Sequence, residues 1–245
     1  MAILSLDSVI ISDATKKELA EWFQDKEQIR TAISAFLAGI PKRPRPAIPV
    51  DEMPYLYAST PISTGKKLIE GLLRHSYPSK EEFRKQDDEA YRTEVLIPNI
   101  EDGNEFSLDC EKKFDKVFAP SRFAGGMRWK DAQYMVFYRP VVERGCWGMA
   151  FNARAGFTWS TGCIEELGMG LEHEKKLYVW NGPDQFSPLD GQAVIEEIYH
   201  NMEIIREVTG EIPLRFAEYW LDVAVRVGSA QNQNDIKKLA QIKNG

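Results

Sequence analysis

The residues best equipped for chemistry lie between Gly156 and Trp180, in the run GFTWSTGCIEELGMGLEHEKKLYVW. The order of residue types reads as loop, glycine turn, helix and short strand. It places two adjacent carboxylates, Glu165 and Glu166, in the first turn of the helix. There the partial positive charge of the helix N-terminus favours the ionised form. An ionised carboxylate beside a Ser/Thr/Gly turn is suited to nucleophilic attack next to a bound anion. Gly162 would let the backbone turn and come close to a ligand, and Ser160 and Thr161 supply hydroxyls. Neighbours on a helix diverge by about 100°, so only one of the two glutamates can face a given site. Residue types alone favour a plain capped helix with acidic first-turn residues.

Two other segments offer polar groups. YASTPISTG, from Tyr57 to Gly65, is neither a dinucleotide fingerprint nor a Walker loop. The hydroxyls of Ser59 and Thr60 and the backbone N–H groups beside them could still cradle one phosphate, or form a polar turn. In RWKD, Asp131 is a helix cap or a site acid, and Arg128 a solvated charge or an anion contact. Phe157, Trp159 and Trp129 could stack on a base or pack in the core. The three histidines, His75, His173 and His200, lack metal-ligand spacing, so neither a metal nor another cofactor is expected.

The elements that must carry these segments follow from periodicity. Strands are expected at 55–59, at 94–97 (EVLI, ended by Pro98), at 146–151 and at 177–180. Helices are expected from Lys66, over 108–119, from Asp131 towards YRPVVER, over the chemistry-bearing stretch, over 190–208 between Asp190 and Gly210, and over 213–227. Short strands alternating with helices imply an α/β fold, a Rossmann-like or flavodoxin-like parallel sheet flanked by helices. The sites should then meet at the carboxyl ends of the strands. Residues 14–39 have helical spacing and precede a proline-rich stretch, KRPRPAIP. The organisation expected is an N-terminal helical extension and linker at 1–50, the α/β domain at 51–185, and C-terminal helices at 186–245 packed on it.

A chain of 245 residues can bury a full core. Its formal charge of −6 argues against an extended nucleic-acid surface but leaves room for a local anion pocket. Three widely spaced cysteines, with no signal-peptide pattern and no apolar run long enough to span a bilayer, point to a cytoplasmic protein with reduced thiols and no membrane partner.

The layout over roughly 54–182 resembles the nucleoside 2-deoxyribosyltransferase superfamily. That group includes the nucleoside 2'-deoxyribosyltransferases, the 2'-deoxynucleoside 5'-phosphate N-hydrolases, the pyrimidine nucleotide N-glycosidases and small phage-encoded relatives. YASTP stands where the family has a strand like YLAGP, so Tyr57 matches the family tyrosine. Gly162 precedes Glu166 by the family spacing, in a helix reading ELGMG, and KKLYV follows as the next strand. The resemblance makes Glu166 the nucleophile, Tyr57 the residue that orients it, and Asp131 the group contacting the leaving base or a sugar hydroxyl.

One departure bears on the substrate. The nucleoside transferases carry an aspartate six residues before the glutamate, where this chain has Ser160. A serine there is similar to the nucleotide N-hydrolase branch, because a hydroxyl can donate to a phosphate that a carboxylate would repel. The expectation is cleavage of the N-glycosidic bond of a nucleoside 5'-monophosphate. Ser59, Thr60, Ser160 and Gly162 would hold the phosphate, Arg128 and Trp159 would assist in substrate binding, and a homodimer is implied by the family. The alternatives are deoxyribosyl transfer between bases, a nucleotide-binding module without turnover, and an NAD-type glycohydrolase.

Overall fold

A computed structural model describes residues 53–121, 138–139 and 141–227. The expected helix at 14–39, the linker after it, and Arg128, Trp129 and Asp131 lie outside the described residues.

The frame is a five-stranded sheet in the order β2-β1-β3-β4-β5. β1 (Tyr55–Ser59) pairs in parallel with β2 (Val117–Phe118) on one side and β3 (Cys146–Asn152) on the other. β4 (Lys176–Trp180) adds in parallel to β3, and β5 (Phe186–Pro188) closes that edge in antiparallel sense. This is the α/β architecture that alternating strands and helices imply, with a flavodoxin-like strand order. The connection from β1 runs one way to β2, and the later strands build the other way. The topological switch point therefore lies between β1 and β3, where such sheets bind ligands.

Strand alternation sorts the residues of β1 between two faces. Leu56 and Ala58 join Phe106, Cys110, Ala150 and Trp180 in one apolar cluster. Tyr57 joins Met149, Phe151, Phe157, Ile164 and Leu167 on the opposite face. That second face carries the larger core, and each fully buried aliphatic or aromatic side chain there contributes about 1.5–3 kcal/mol.

α1 (Lys66–His75) follows β1 and buries Leu68, Ile69 and Leu72. After α2 (Lys80–Gln86), one continuous helical stretch is built from α3 (Asp88–Tyr91), a π-helical turn (Arg92–Leu96) and α4 (Ile97–Phe114). The strand expected at 94–97 is thus helical, and the helix expected over 108–119 ends at Phe114 before β2. Pro98 has no N–H to give the Glu94 carbonyl, and its ring would crowd that carbonyl in a regular α-helix. The wider π turn lets the helix pass the proline instead of ending there.

Residues 141–145 are helical and lead into β3. After β3 come a 3-10 turn (Phe157–Trp159) and α5 (Thr161–Glu172). α6 (Gly191–Thr209) is capped by Asp190, whose carboxylate accepts from Gln192 and Ala193 N–H, and is stopped by Gly210 at φ 82°. α7 (Leu214–Val227) lays Phe216, Trp220, Val223 and Ala224 into the same core, and the Trp220 indole N–H donates to the Ile195 carbonyl at 3.0 Å. The C-terminal helices therefore share the core of the sheet. None of the described helices is long and apolar enough to cross a membrane.

Candidate functional site

Tyr57 and Ser59 are two apart on β1, so their side chains leave the same face of the sheet. α5 crosses that face and brings Glu166 over them. Tyr57 Oη donates to Glu166 Oε1 at 2.5 Å, and Ser59 Oγ donates to Oε2 at 2.6 Å. One carboxylate thus receives two hydroxyls, one on each oxygen, and all three residues are buried. Ser59, expected beside a phosphate, is turned to the glutamate instead.

Two expectations about this helix are corrected. α5 begins at Thr161, so Glu165 and Glu166 stand in its second turn, beyond the end where the helix dipole acts most strongly. The Glu166 pKa accordingly goes up, from 4.5 to about 7, because burial penalises the charged form. The hydrogen bonds from Ser59 and Tyr57 oppose that rise, and the nearby Glu165 charge adds to it. Gly162 is not the turn either. The left-handed residue is Gly156, at φ 71°, while Gly162 lies inside α5, where a Cβ would meet nothing within 4 Å.

Ser160 caps α5 by accepting from Cys163 N–H at 3.5 Å, and also accepts from Thr64 Oγ1 at 2.9 Å. Its hydroxyl also hydrogen-bonds the Cys163 sulfur. Thr64 belongs to the loop after β1, so its bond to Ser160 ties that loop to the start of α5. Thr60 is buried and accepts from Asn152 Nδ2 at 3.1 Å, which joins the ends of β1 and β3.

The loop is held from the other side as well. Asn99 Nδ2 donates to the carbonyls of Ile62 at 3.2 Å and Thr64 at 2.8 Å, and Tyr91 Oη donates to that of Ser63 at 3.1 Å.

Of the aromatics, Phe157 is core, tilted against Phe151 with ring centroids 5.1 Å apart. Trp159 is half-buried beside Gly156. Glu165 faces away from Glu166's partners and takes Arg139 Nη2 at 3.3 Å. It also binds the Tyr219 hydroxyl on α7, whose pKa burial and this carboxylate push up to about 12.

Several residues of the site carried no signal in the sequence. Tyr138 is buried edge-on to Tyr57, with ring centroids 6.2 Å apart. Lys67 and Arg154 stand at the carboxyl edge of the sheet, each paired with Asp102. They enter the chain as isolated charges, and only the fold brings them together.

No lysine or arginine pairs with Glu166 among the described residues. Its two partners are neutral hydroxyls, and burial beside Glu166 raises the Tyr57 pKa well above 10, so the phenol keeps its proton. The arrangement is a buried carboxyl oriented by two hydroxyl donors, with no cation beside it among the described residues. It is chemically fitted to attack, or to stabilise, a carbon that becomes electron-poor. Cys163 lies one turn before Glu166, and burial pushes its thiol up to about 12, so it stays protonated. Among the described residues no group of three His, Cys, Asp or Glu side chains is placed to hold a metal ion. No protein-family model, curated protein or solved structure matches the chain.

Proposed function

We propose that the protein cleaves the N-glycosidic bond of a nucleoside 5'-monophosphate, with Glu166 as the nucleophile. The observation that carries this reading is the Glu166 carboxylate, buried with no cation beside it among the described residues and held by Tyr57 and Ser59 at the switch point of the sheet. An oxocarbenium-like transition state supplies the positive charge that such a carboxylate lacks. The bond from the anomeric carbon to the base nitrogen breaks, and its electron pair leaves with the base. A carboxylate oxygen of Glu166 forms an ester to the anomeric carbon, and water then hydrolyses that ester.

Tyr57 and Ser59 fix the oxygen that attacks. The hydroxyl of Ser160, the lack of any described residue within 4 Å of a Cβ on Gly162, and the loop at 60–65 support a phosphate at the start of α5. The resemblance of YASTP and of the Gly162–Glu166 spacing to the nucleoside 2-deoxyribosyltransferase superfamily supports the same reaction class. By that resemblance Asp131 would protonate or orient the leaving base.

The test is a panel of common nucleoside monophosphates incubated with wild-type protein and Glu166→Gln, with free base read by chromatography. Wild-type protein should release base from at least one of them, and the variant should lose roughly three orders of magnitude or more while keeping its circular dichroism. Nucleotide binding without any base release would replace this reading with that of a binding module. Loss of activity in Glu165→Gln but not in Glu166→Gln would move the nucleophile to the neighbouring residue.

A further inference from the structure

The π-interrupted helix at 88–114 grips the loop after β1 at three successive carbonyls. Tyr91, just before the π turn, donates to Ser63 O. Asn99, just after it, donates to Ile62 O and Thr64 O. In a trans peptide unit the C=O and the following N–H point in opposite directions, and the described chain has no cis bond. With the carbonyls of 62, 63 and 64 turned to the helix, the N–H groups of Ser63, Thr64 and Gly65 are turned the other way. The loop itself reaches the start of α5, where Thr64 Oγ1 meets Ser160 and no described residue lies within 4 Å of a Cβ on Gly162. Three adjacent N–H groups presented on one side form an anion-binding concavity. Among the described residues no group accepts from these three.

Asn99 carries a second mark. It is fully buried, and its Oδ1 has no partner among the described residues. A buried acceptor without a donor costs stability. Both partners of Nδ2 are carbonyls, which fixes the orientation of the amide, so asparagine acts here through its two donors.

We propose that Asn99, together with Tyr91, is a positioning residue for substrate binding: it turns the carbonyls of the 62–64 loop away from the site so that a phosphate monoester meets N–H donors and not carbonyl dipoles. This rests on the phosphate end of the proposed function. Neither residue touches substrate. The π turn sets the angle between them, because it alters the rotation between Tyr91 and Asn99 from that of a regular helix.

The experiment uses the whole chain as wild type, Tyr91→Phe and Asn99→Ala. Calorimetry compares ribose 5-phosphate and its 2-deoxy form with the unphosphorylated sugars, and hydrogen exchange follows the amides of Ser63, Thr64 and Gly65. Asn99→Ala should weaken binding of the phosphorylated sugars roughly tenfold and Tyr91→Phe about threefold. Bound ribose 5-phosphate should slow exchange at the three amides in wild type and slow it less in both variants, and binding of the unphosphorylated sugars should stay unchanged. A general loss of structure would weaken both kinds of ligand alike and would overturn the assignment. So would unchanged affinity and exchange in both variants, or a wild-type protein indifferent to the phosphate. Should Asn99→Ala fail to fold, Tyr91→Phe decides, since it removes one hydroxyl and keeps the ring against Phe83. Protein that binds the sugar phosphate through this loop yet releases no base from any monophosphate supports the assignment and overturns the glycosidase reading.

Discussion

Replacing Glu166 with glutamine should remove a specific part of the protein's pH-dependent stability. Glu166 has a folded pKa of about 7 against an ordinary 4.5. Because the folded value is the higher one, the folded state holds the proton more tightly. The corresponding stability is fully present below pH 4.5 and is lost as the pH rises through 7. Moving a pKa from 4.5 to about 7 is worth about 3 kcal/mol. Between pH 5 and pH 8 the wild-type protein should therefore lose about 2 to 3 kcal/mol from this one carboxyl. Glu166→Gln keeps the shape and cannot ionise, and the Ser59 and Tyr57 hydroxyls can rotate to suit an amide. Urea unfolding of both proteins at the two pH values isolates the contribution, since every other titrating group is common to them. The wild-type midpoint should fall by roughly 1 M more than that of the variant. An equal fall in the two proteins would show that Glu166 is not held buried and partnered only by neutral groups.

Four further outcomes follow from the structure. Base release should rise with pH through about 7, as the attacking carboxylate ionises. Tyr57→Phe or Ser59→Ala removes a donor to that carboxylate, so either should move the midpoint upward and cost about tenfold or more in rate, read from pH–rate profiles. Gly162→Ala should raise stability by about 0.5–1 kcal/mol, because the new methyl meets nothing within 4 Å inside a helix. The same variant should weaken nucleotide binding, seen by pairing thermal unfolding with calorimetry. Lys175 is buried, with its ammonium resting on the Glu143 carbonyl and the Met53 sulfur, and burial lowers its pKa to about 8. Lys175→Met should raise the melting temperature at pH 7 by an amount worth about 1 kcal/mol. That gain should shrink between pH 8 and 10.5, where the wild-type side chain sheds its proton on folding.

Periodicity made the frame readable. β1 and β3 are short apolar runs buried along nearly their whole length, the C-terminal helices bury apolar residues at helical spacing, and Asp190 and Gly210 announce the ends of α6. The EVLI segment misled because its apolar run ends at a proline, and nothing local says that a π turn will carry the helix past it. β5 is three residues long and ends in Pro188, too little for an alternating signal. At the site, the pairing of Tyr57 and Ser59 on one face follows from their spacing, and Glu166 from the motif around it. The raised Glu166 pKa could not be foreseen, because it depends on burial under elements far along the chain. The hold of Asn99 on the loop is equally silent in the sequence: its partners lie 35 and 37 residues away and obey no period.

The two ends of the sheet constrain how this protein can meet other chains. Among the described residues one edge is β2, two residues long, and the other is β5, three residues long, with Pro188 offering no backbone donor. A neighbouring strand would find too short a ladder to add to, which protects the fold from edge-to-edge aggregation. Self-association through the described residues would therefore join helical surfaces and would not extend one sheet across two molecules.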